Sequence, residues 1–133
     1  MFHDTFYTRR YLLELQEHLA DFKNIGVEVI AISSDPKEKA VAAKEKWKLD
    51  KLNIGYELSI EKGREWGLFV SRAKGLKNYP DIFIEPGLFL VRPDQTLYAS
   101  IVSTMPFARP SFSDVLKALD GIIKNDYPAQ GEA

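Results

Sequence analysis

Two threonines and two arginines lie close together near the amino terminus, at Thr5, Thr8, Arg9 and Arg10. A hydroxyl at the start of a helix most often caps it by accepting a backbone N–H, and both threonines suit that role. Two arginines beside the N–H groups of a helix N-terminus can hold an anion, although surface arginines are usually only solvated. The spacing therefore supports helix capping and solvated arginines, with an anion site at Arg9 and Arg10 as the functional alternative.

Other kinds of chemistry have little support in the sequence. The chain contains no cysteine, which excludes a disulfide framework, a thiolate nucleophile and a thiolate metal site. Imidazole comes only from His3 and His18, and no carboxylate spacing near them suggests a metal site, so we predict no metal and no cofactor. The carboxylates of Glu61, Glu65 and Glu85 have no spacing that pairs them for acid–base catalysis.

The composition is that of one soluble globular domain. The chain has 133 residues, 45% of them apolar and 28% charged, with a net charge of -1. This length predicts a single domain over residues 1–126 and a flexible tail over residues 127–133. There is no basic excess to favour nucleic acid or an anionic membrane, and no apolar run approaches the ~18 residues of a membrane span. Without a signal peptide, the default location is cytoplasmic.

Helical periodicity and turn chemistry define the predicted elements. Asp35 is a candidate N-cap, Pro36 suits the first helical position and Glu38 lies where a capping-box acid would reach back. Turn residues at 92–95 separate two β-rich runs and predict an antiparallel hairpin. The predicted helices cover residues 8–22, 35–47, 60–66 and 111–123; the strands cover 27–32, 54–58, 87–91 and 96–103; and residues 71–80 form a surface loop. This order predicts an α/β layer fold with a mixed sheet covered by helices on both faces.

Several segments resemble one protein family. The run GVEVIAISSD at residues 26–35 resembles the central strand and turn of peroxiredoxin-like domains of the alkyl hydroperoxide reductase and thiol-specific antioxidant family. The likeness continues through EPGLFLVRPD at 85–94 and RPSF at 109–112, and so covers nearly the whole chain. It implies a thioredoxin-like fold, with a central mixed β-sheet and helices on both faces. In that family the reactive cysteine lies in the first turn of the helix before the central strand, where the helix terminus and nearby cations lower the thiol pKa.

This chain departs from the family pattern at the residues that matter most. TFYTRRYL at residues 5–12 resembles a Cys-x-x-Cys-Arg-Arg-Tyr-Leu opening, with Thr5 and Thr8 at the two cysteine positions. In the alternative Thr-x-x-Cys alignment, Thr8 replaces the peroxidatic cysteine. Either alignment excludes thiol peroxidase chemistry, because a threonine hydroxyl cannot run a sulfenic-acid cycle. Glu85 and Pro86 occupy the place of a family arginine, and Pro86 is a candidate cis-proline facing the former site.

The resemblance also implies that the first strands of the fold are missing or truncated. A complete family domain has an N-terminal hairpin and a central strand before the cysteine helix, whereas only residues 1–7 precede that helix here. Either the chain is part of a longer product, or a second copy covers the surface that the strand would have paired. For the second case we predict a homodimer, whose candidate contact residues are Met1, Phe2, Phe6 and Tyr7.

A group of aromatic residues has two interpretations. Trp47, Trp66, Tyr98 and Phe107 can line a ligand pocket, but aromatic residues at such spacings usually belong to the core.

Two hypotheses about function follow. In the first, the chain is a cysteine-free, non-catalytic member of the peroxiredoxin-like family that acts as a binding or structural module. In the second, it is a component of an antioxidant oxidoreductase whose redox thiols lie on a missing N-terminal segment or on a partner protein.

Overall fold

The computed structural model describes residues 6–133 and contains five helices in this part of the chain. They are α1 (Phe6–Glu17), α2 (Leu19–Asn24), α3 (Lys37–Lys46), α4 (Ile60–Glu65) and α5 (Phe112–Asn125). The single helix predicted over residues 8–22 is divided at His18, whose N–H donates to the Leu15 carbonyl at 3.1 Å. This i to i−3 bond tightens the last turn of α1 and ends it. No helix among residues 6–133 has the length and apolar character needed to cross a membrane.

Within residues 6–133, six strands form three separate hydrogen-bonded pairs. The strands are β1 (Ile30–Ile32), β2 (Asn53–Gly55), β3 (Val70–Arg72), β4 (Ile82–Ile84), β5 (Gly87–Val91) and β6 (Leu97–Val102). Strands β1 and β2 run parallel, whereas β3 with β4 and β5 with β6 are antiparallel. The mixed α/β architecture and the β5–β6 hairpin are confirmed, but the sheet is divided into two-stranded pieces.

Two local predictions are corrected. The N-cap of α3 is Pro36 rather than Asp35, and it makes no side-chain cap hydrogen bond. The extended backbone of Pro36 separates Asp35 from the helix, and the Asp35 N–H donates to Ser33 Oγ at 3.0 Å. The predicted loop over residues 71–80 begins later, because Ser71 and Arg72 belong to β3. Their pairing with β4 is a non-local contact that a three-residue strand does not reveal in sequence.

The main core lies between the helices and the segment that follows α3. Leu49 and Leu52 are fully buried there, and Trp47 is also buried. Gln16 of α1 fixes this segment with two hydrogen bonds, donating from Nε2 to the Lys48 carbonyl at 2.9 Å and accepting from the Lys51 N–H at 3.0 Å. Contributions from α1, α2, α3 and α5 complete the cluster, through Leu12, Leu15, Phe22, Ala40, Phe112, Val115 and Leu119.

The closing helix α5 forms as its sequence predicts. Ser111 is its N-cap, and the Ser111 Oγ accepts the Asp114 N–H at 3.4 Å. Phe112, Val115 and Leu119 follow at the spacing of one helical face, and all three are buried. The start of α5 is therefore fixed, and with it the position of the residues just before it, Arg109 and Pro110.

Candidate functional site

Thr8 lies inside the first turns of α1 and is only 4% exposed. Its Oγ1 accepts a hydrogen bond from Nη2 of Arg109 at 3.1 Å. Because α1 already begins at Phe6, Thr8 is not at the N-cap, and the prediction that its hydroxyl caps the helix is wrong. Thr5 lies outside the described residues. The hydroxyl at position 8 therefore joins α1 to the loop before α5.

Arg109 is held in place by several contacts. Its Nε donates to the Pro106 carbonyl at 3.0 Å, and its guanidinium lies 5.1 Å from the centre of the Tyr11 ring. The Tyr11 hydroxyl donates to the Pro110 carbonyl at 2.9 Å, which ties the ring to the same loop. The guanidinium is thus oriented towards Thr8 by both the loop and the aromatic ring beneath it.

Burial shifts the pKa values of both Tyr11 and Arg109. It raises the pKa of Tyr11 to about 12, partly offset by the nearby Arg109 charge. Burial also lowers the pKa of Arg109, while interactions with Tyr11, Glu85 and Tyr79 act in the opposite direction. A guanidinium stays protonated throughout the physiological range, so at neutral pH the site contains a neutral phenol and a cation.

Glu85 supplies the opposing charge. It is 9% exposed, and its Oε1 accepts the Ser71 hydroxyl hydrogen at 2.7 Å. Its electrostatic interaction with Arg109 favours the charged guanidinium. We call Thr8, Tyr11, Ser71, Glu85 and Arg109 the Thr8–Arg109 cluster. It combines a hydroxyl, a cation and a carboxylate from four separate parts of the chain.

The sequence interpretation missed the role of Arg109. Glu85 and Pro86 stand before β5, where the resemblance implied an arginine, and a cation reaches position 8 from the loop before α5 instead. The available signal was the Arg109-Pro110-Ser111 run, in which a proline and a helix cap hold an arginine at a fixed place.

Arg9 and Arg10 are both exposed. Arg10 pairs through Nε with Glu14 Oε1 at 3.3 Å, in an i,i+4 ion pair on the surface of α1. Neither contributes to the Thr8–Arg109 cluster, and anion binding by these two residues stays a prediction.

Pro86 does not adopt the expected cis conformation. All peptide bonds of the described chain are trans, so the cis-proline expectation is corrected. The trans form of an X–Pro bond is favoured by about 0.5–1 kcal/mol unless the surroundings require otherwise. The Pro86 carbonyl instead extends the β5–β6 hairpin by accepting the Ser103 N–H at 3.3 Å.

The four aromatic residues considered as a pocket lie in different places. Trp47 belongs to the main core, whereas Trp66 contacts Phe89 with ring centroids 4.9 Å apart. Tyr98 donates its hydroxyl hydrogen to the Tyr127 carbonyl at 3.1 Å, and Phe107 is 66% exposed. These four residues do not line a common pocket, because they lie in different parts of the fold and have different neighbours.

The arrangement defines a mixed α/β domain of the thioredoxin-like class. A sequence model of the AhpC/TSA family matches residues 1–100. The chain belongs to that family, and it is a member without cysteine. A search of curated proteins found no match.

Proposed function

We propose that this chain is a non-catalytic module of the AhpC/TSA family that acts by binding or by a structural role. The observation that carries the proposal is the state of Thr8, which is 4% exposed and accepts a hydrogen bond from Arg109. The resemblance aligns Thr8 with a family cysteine. Peroxide reduction in this family needs a thiolate that can be oxidised and regenerated. Threonine offers neither the anion nor the redox cycle.

The charges of the Thr8–Arg109 cluster support the same conclusion. Arg109 donates to Thr8 and to the Pro106 carbonyl, and its interaction with Glu85 favours the charged guanidinium. A guanidinium directed in this way at an uncharged hydroxyl stabilises the fold by joining α1 to the loop before α5. Thr8 thereby has a structural role.

The alternative is that the chain is an oxidoreductase component whose thiols lie on a partner protein or on an upstream segment. A partner thiol acting at position 8 would need access to a residue that is almost fully buried. That version of the alternative is therefore disfavoured. In the other version, the thiols lie on an upstream segment of a longer product. The chain alone would then be inactive in a peroxide assay.

The direct test is a peroxide-consumption assay on the purified chain, with dithiothreitol as reductant and the intact mass checked against the sequence. We expect hydrogen peroxide to be consumed no faster than in buffer with reductant alone. A cysteine-containing peroxiredoxin run in parallel establishes that the assay works. Turnover by the chain itself, persisting after removal of trace metals, would refute the non-catalytic proposal.

We also propose that the chain forms a homodimer and is located in the cytoplasm. Support for a dimer comes from the exposed rings of Phe6, Tyr7 and Phe107 at the start of α1, where Tyr7 and Phe107 have centroids 4.9 Å apart. Exposed aromatic clusters of this kind are typical of protein interfaces. Met1 and Phe2, the other candidate contacts, lie outside the described residues. Sedimentation would test the oligomeric state, and cell fractionation would test the location.

A further inference from the structure

The sulfur atoms of this chain belong to two methionines, because it contains no cysteine. One of them, Met105, follows β6 and is the only sulfur-containing residue among residues 6–133. Its side chain is 53% exposed, whereas methionine is among the residues most often buried. Oxidation of a sulfur atom depends on its exposure, so the Met105 thioether is open to a dissolved oxidant.

Hydrogen bonds hold the backbone on both sides of Met105. Its N–H donates to Ser103 Oγ at 2.9 Å, and its carbonyl accepts the Ala108 N–H at 3.1 Å, which closes a four-residue turn. The next carbonyl, of Pro106, accepts Nε of Arg109 at 3.0 Å. Because both backbone groups of Met105 are engaged in this way, the chemistry of its side chain can change without the loss of these bonds.

The same turn carries part of the surface proposed for the homodimer. Phe107 follows Met105 by two positions and is exposed, and its ring centroid lies 4.9 Å from that of Tyr7. The Tyr7 ring is in turn 5.7 Å from the exposed ring of Phe6. Methionine and aromatic residues are both enriched at protein interfaces, where the thioether adapts to the shape of its neighbours. Met105 therefore extends this aromatic surface with a further exposed apolar side chain.

Hydrogen peroxide converts a thioether to a sulfoxide in a single two-electron step. The sulfur lone pair attacks one peroxide oxygen, the S–O bond forms as the O–O bond breaks, and a proton transfer releases water. The sulfur is oxidised and the peroxide is reduced, so each sulfur consumes one peroxide molecule and the reaction does not repeat. A sulfoxide is polar and a strong hydrogen-bond acceptor, and burying it without a donor is unfavourable.

We propose that Met105 is a site of modification by peroxide and that its oxidation to the sulfoxide dissociates the homodimer. This inference rests on the proposed homodimer and names its regulation. In the monomer the thioether is exposed and reacts, whereas in the dimer the partner copy covers it. The sulfoxide then disfavours reassociation, because the interface would have to bury a polar oxygen. The oxidation is stoichiometric, so it is compatible with a module that does not turn over peroxide.

The test compares the full chain before and after treatment with hydrogen peroxide. Peptide mass mapping locates the added oxygen, and sedimentation velocity over a range of concentrations gives the dissociation constant of the dimer. We expect one added oxygen at Met105 and a dissociation constant raised by about tenfold or more, within the range of typical coupling between two sites. Oxidation of Met105 should also slow at protein concentrations above the dissociation constant, because the dimer shields the sulfur.

Three variants assign the effect to Met105. Met105→Leu keeps the apolar bulk but cannot be oxidised, so its dimer should persist after peroxide treatment although Met1 is still present. Met105→Gln introduces a polar group without an oxidant and should weaken the dimer by about tenfold or more. Its matched control is Leu76→Gln, at a 55% exposed residue between β3 and β4, which should leave the dimer unchanged. Circular dichroism establishes that the variants are folded, and the oxidised wild-type chain with Met105→Leu completes the test if Met105→Gln is not.

The outcomes separate this switch from the homodimer itself. A dimer that persists with Met105 fully oxidised would overturn the switch and leave the homodimer intact. Equal loss of the dimer in Met105→Leu after peroxide treatment would assign the effect to another residue, which also overturns the proposal. A chain that is monomeric at every concentration before treatment would refute the homodimer and the switch together.

Discussion

The guanidinium of Arg109 donates a hydrogen bond to the hydroxyl of Thr8 at 3.1 Å, joining the loop before α5 to the first turns of α1. The residue that the resemblance aligns with a redox cysteine is thus in contact with a cation. The buried carboxylate of Glu85 interacts electrostatically with Arg109 and favours its charged form. A charged group introduced at position 8 would therefore meet this cation directly.

Replacing Thr8 with cysteine should give a thiol with an ordinary or mildly lowered pKa, because the Arg109 cation within hydrogen-bond distance favours a thiolate whereas burial of position 8 disfavours it. Peroxidase activity should still be weak, since Glu85 disfavours the negative charge. Thiolate absorbance as a function of pH gives the pKa, and the same peroxide assay gives the activity. Adding Glu85→Gln should lower the thiol pKa further; a pKa above the ordinary value, or rapid turnover by Thr8→Cys, would show that the charge balance is different.

Removing the Arg109 guanidinium should destabilise the fold. Arg109→Met keeps most of the apolar stem but loses the hydrogen bonds to Thr8 and Pro106, and we expect a loss of about 1–3 kcal/mol in the free energy of unfolding. The matched control is Arg10→Met, which removes an exposed ion pair with Glu14 and should cost no more than about 0.5 kcal/mol. Urea denaturation measures both. Equal effects of the two substitutions would contradict a structural role for Arg109.

Tyr11 should make the protein less stable in alkaline solution. Burial raises its pKa from 10.0 to about 12, so the folded state holds the phenolic proton more tightly than the unfolded state. This contribution to stability is fully present below pH 10 and is lost as the pH rises towards 12. Because Tyr11 is partly exposed, we expect a loss of about 1–2 kcal/mol, after allowing for solvent screening. Urea midpoints across this range, compared with Tyr11→Phe, would measure it, and an unchanged pH dependence in the variant would exclude Tyr11 as the cause.

Two glycines offer a matched test of helix packing. A Cβ at Gly63 would lie 2.7 Å from Cδ1 of the buried Ile84, whereas a Cβ at Gly121 would meet no atom within 4 Å apart from its chain neighbours and the backbone of its own helix. Gly63→Ala should therefore destabilise the protein by about 1–3 kcal/mol through overpacking. Gly121→Ala, in the middle of α5, should stabilise it by about 0.5–1 kcal/mol. Thermal unfolding measures both changes, and a stabilised Gly63→Ala protein would mean that Ile84 can move aside.

If the chain forms the proposed homodimer, substituting an exposed aromatic residue should weaken the dimer only where that residue lies in the interface. Phe107→Ser should raise the dissociation constant of the dimer at least tenfold, because it removes a ring that packs on Tyr7 within the aromatic surface. Phe69→Ser, at a 50% exposed phenylalanine away from α1, is the control. Sedimentation velocity over a range of concentrations gives both constants. A wild-type chain that stays monomeric at every concentration would rule the dimer out.

The local features were predictable because neighbouring residues determine them. The apolar period of α5, its Ser111 cap and the turn at residues 92–95 specify the closing helix and the β5–β6 hairpin from sequence alone. Likewise, the absence of cysteine excludes thiol chemistry in this chain whatever its fold. These conclusions depend on composition and short-range spacing, and the structure leaves them unchanged.

The site depended on contacts between distant parts of the chain. Arg109 reaches Thr8 from 101 positions away, and Ser71 meets Glu85 through the pairing of β3 with β4. The wrong prediction that Thr8 caps α1 has the same origin. The helix begins earlier, at Phe6, and the hydroxyl accepts a hydrogen bond from the distant Arg109. Periodicity shows which face of an element is apolar but not which distant side chain meets it. The sequence alone therefore determined the family and the absence of thiol chemistry, while only the tertiary structure decided which residues surround Thr8.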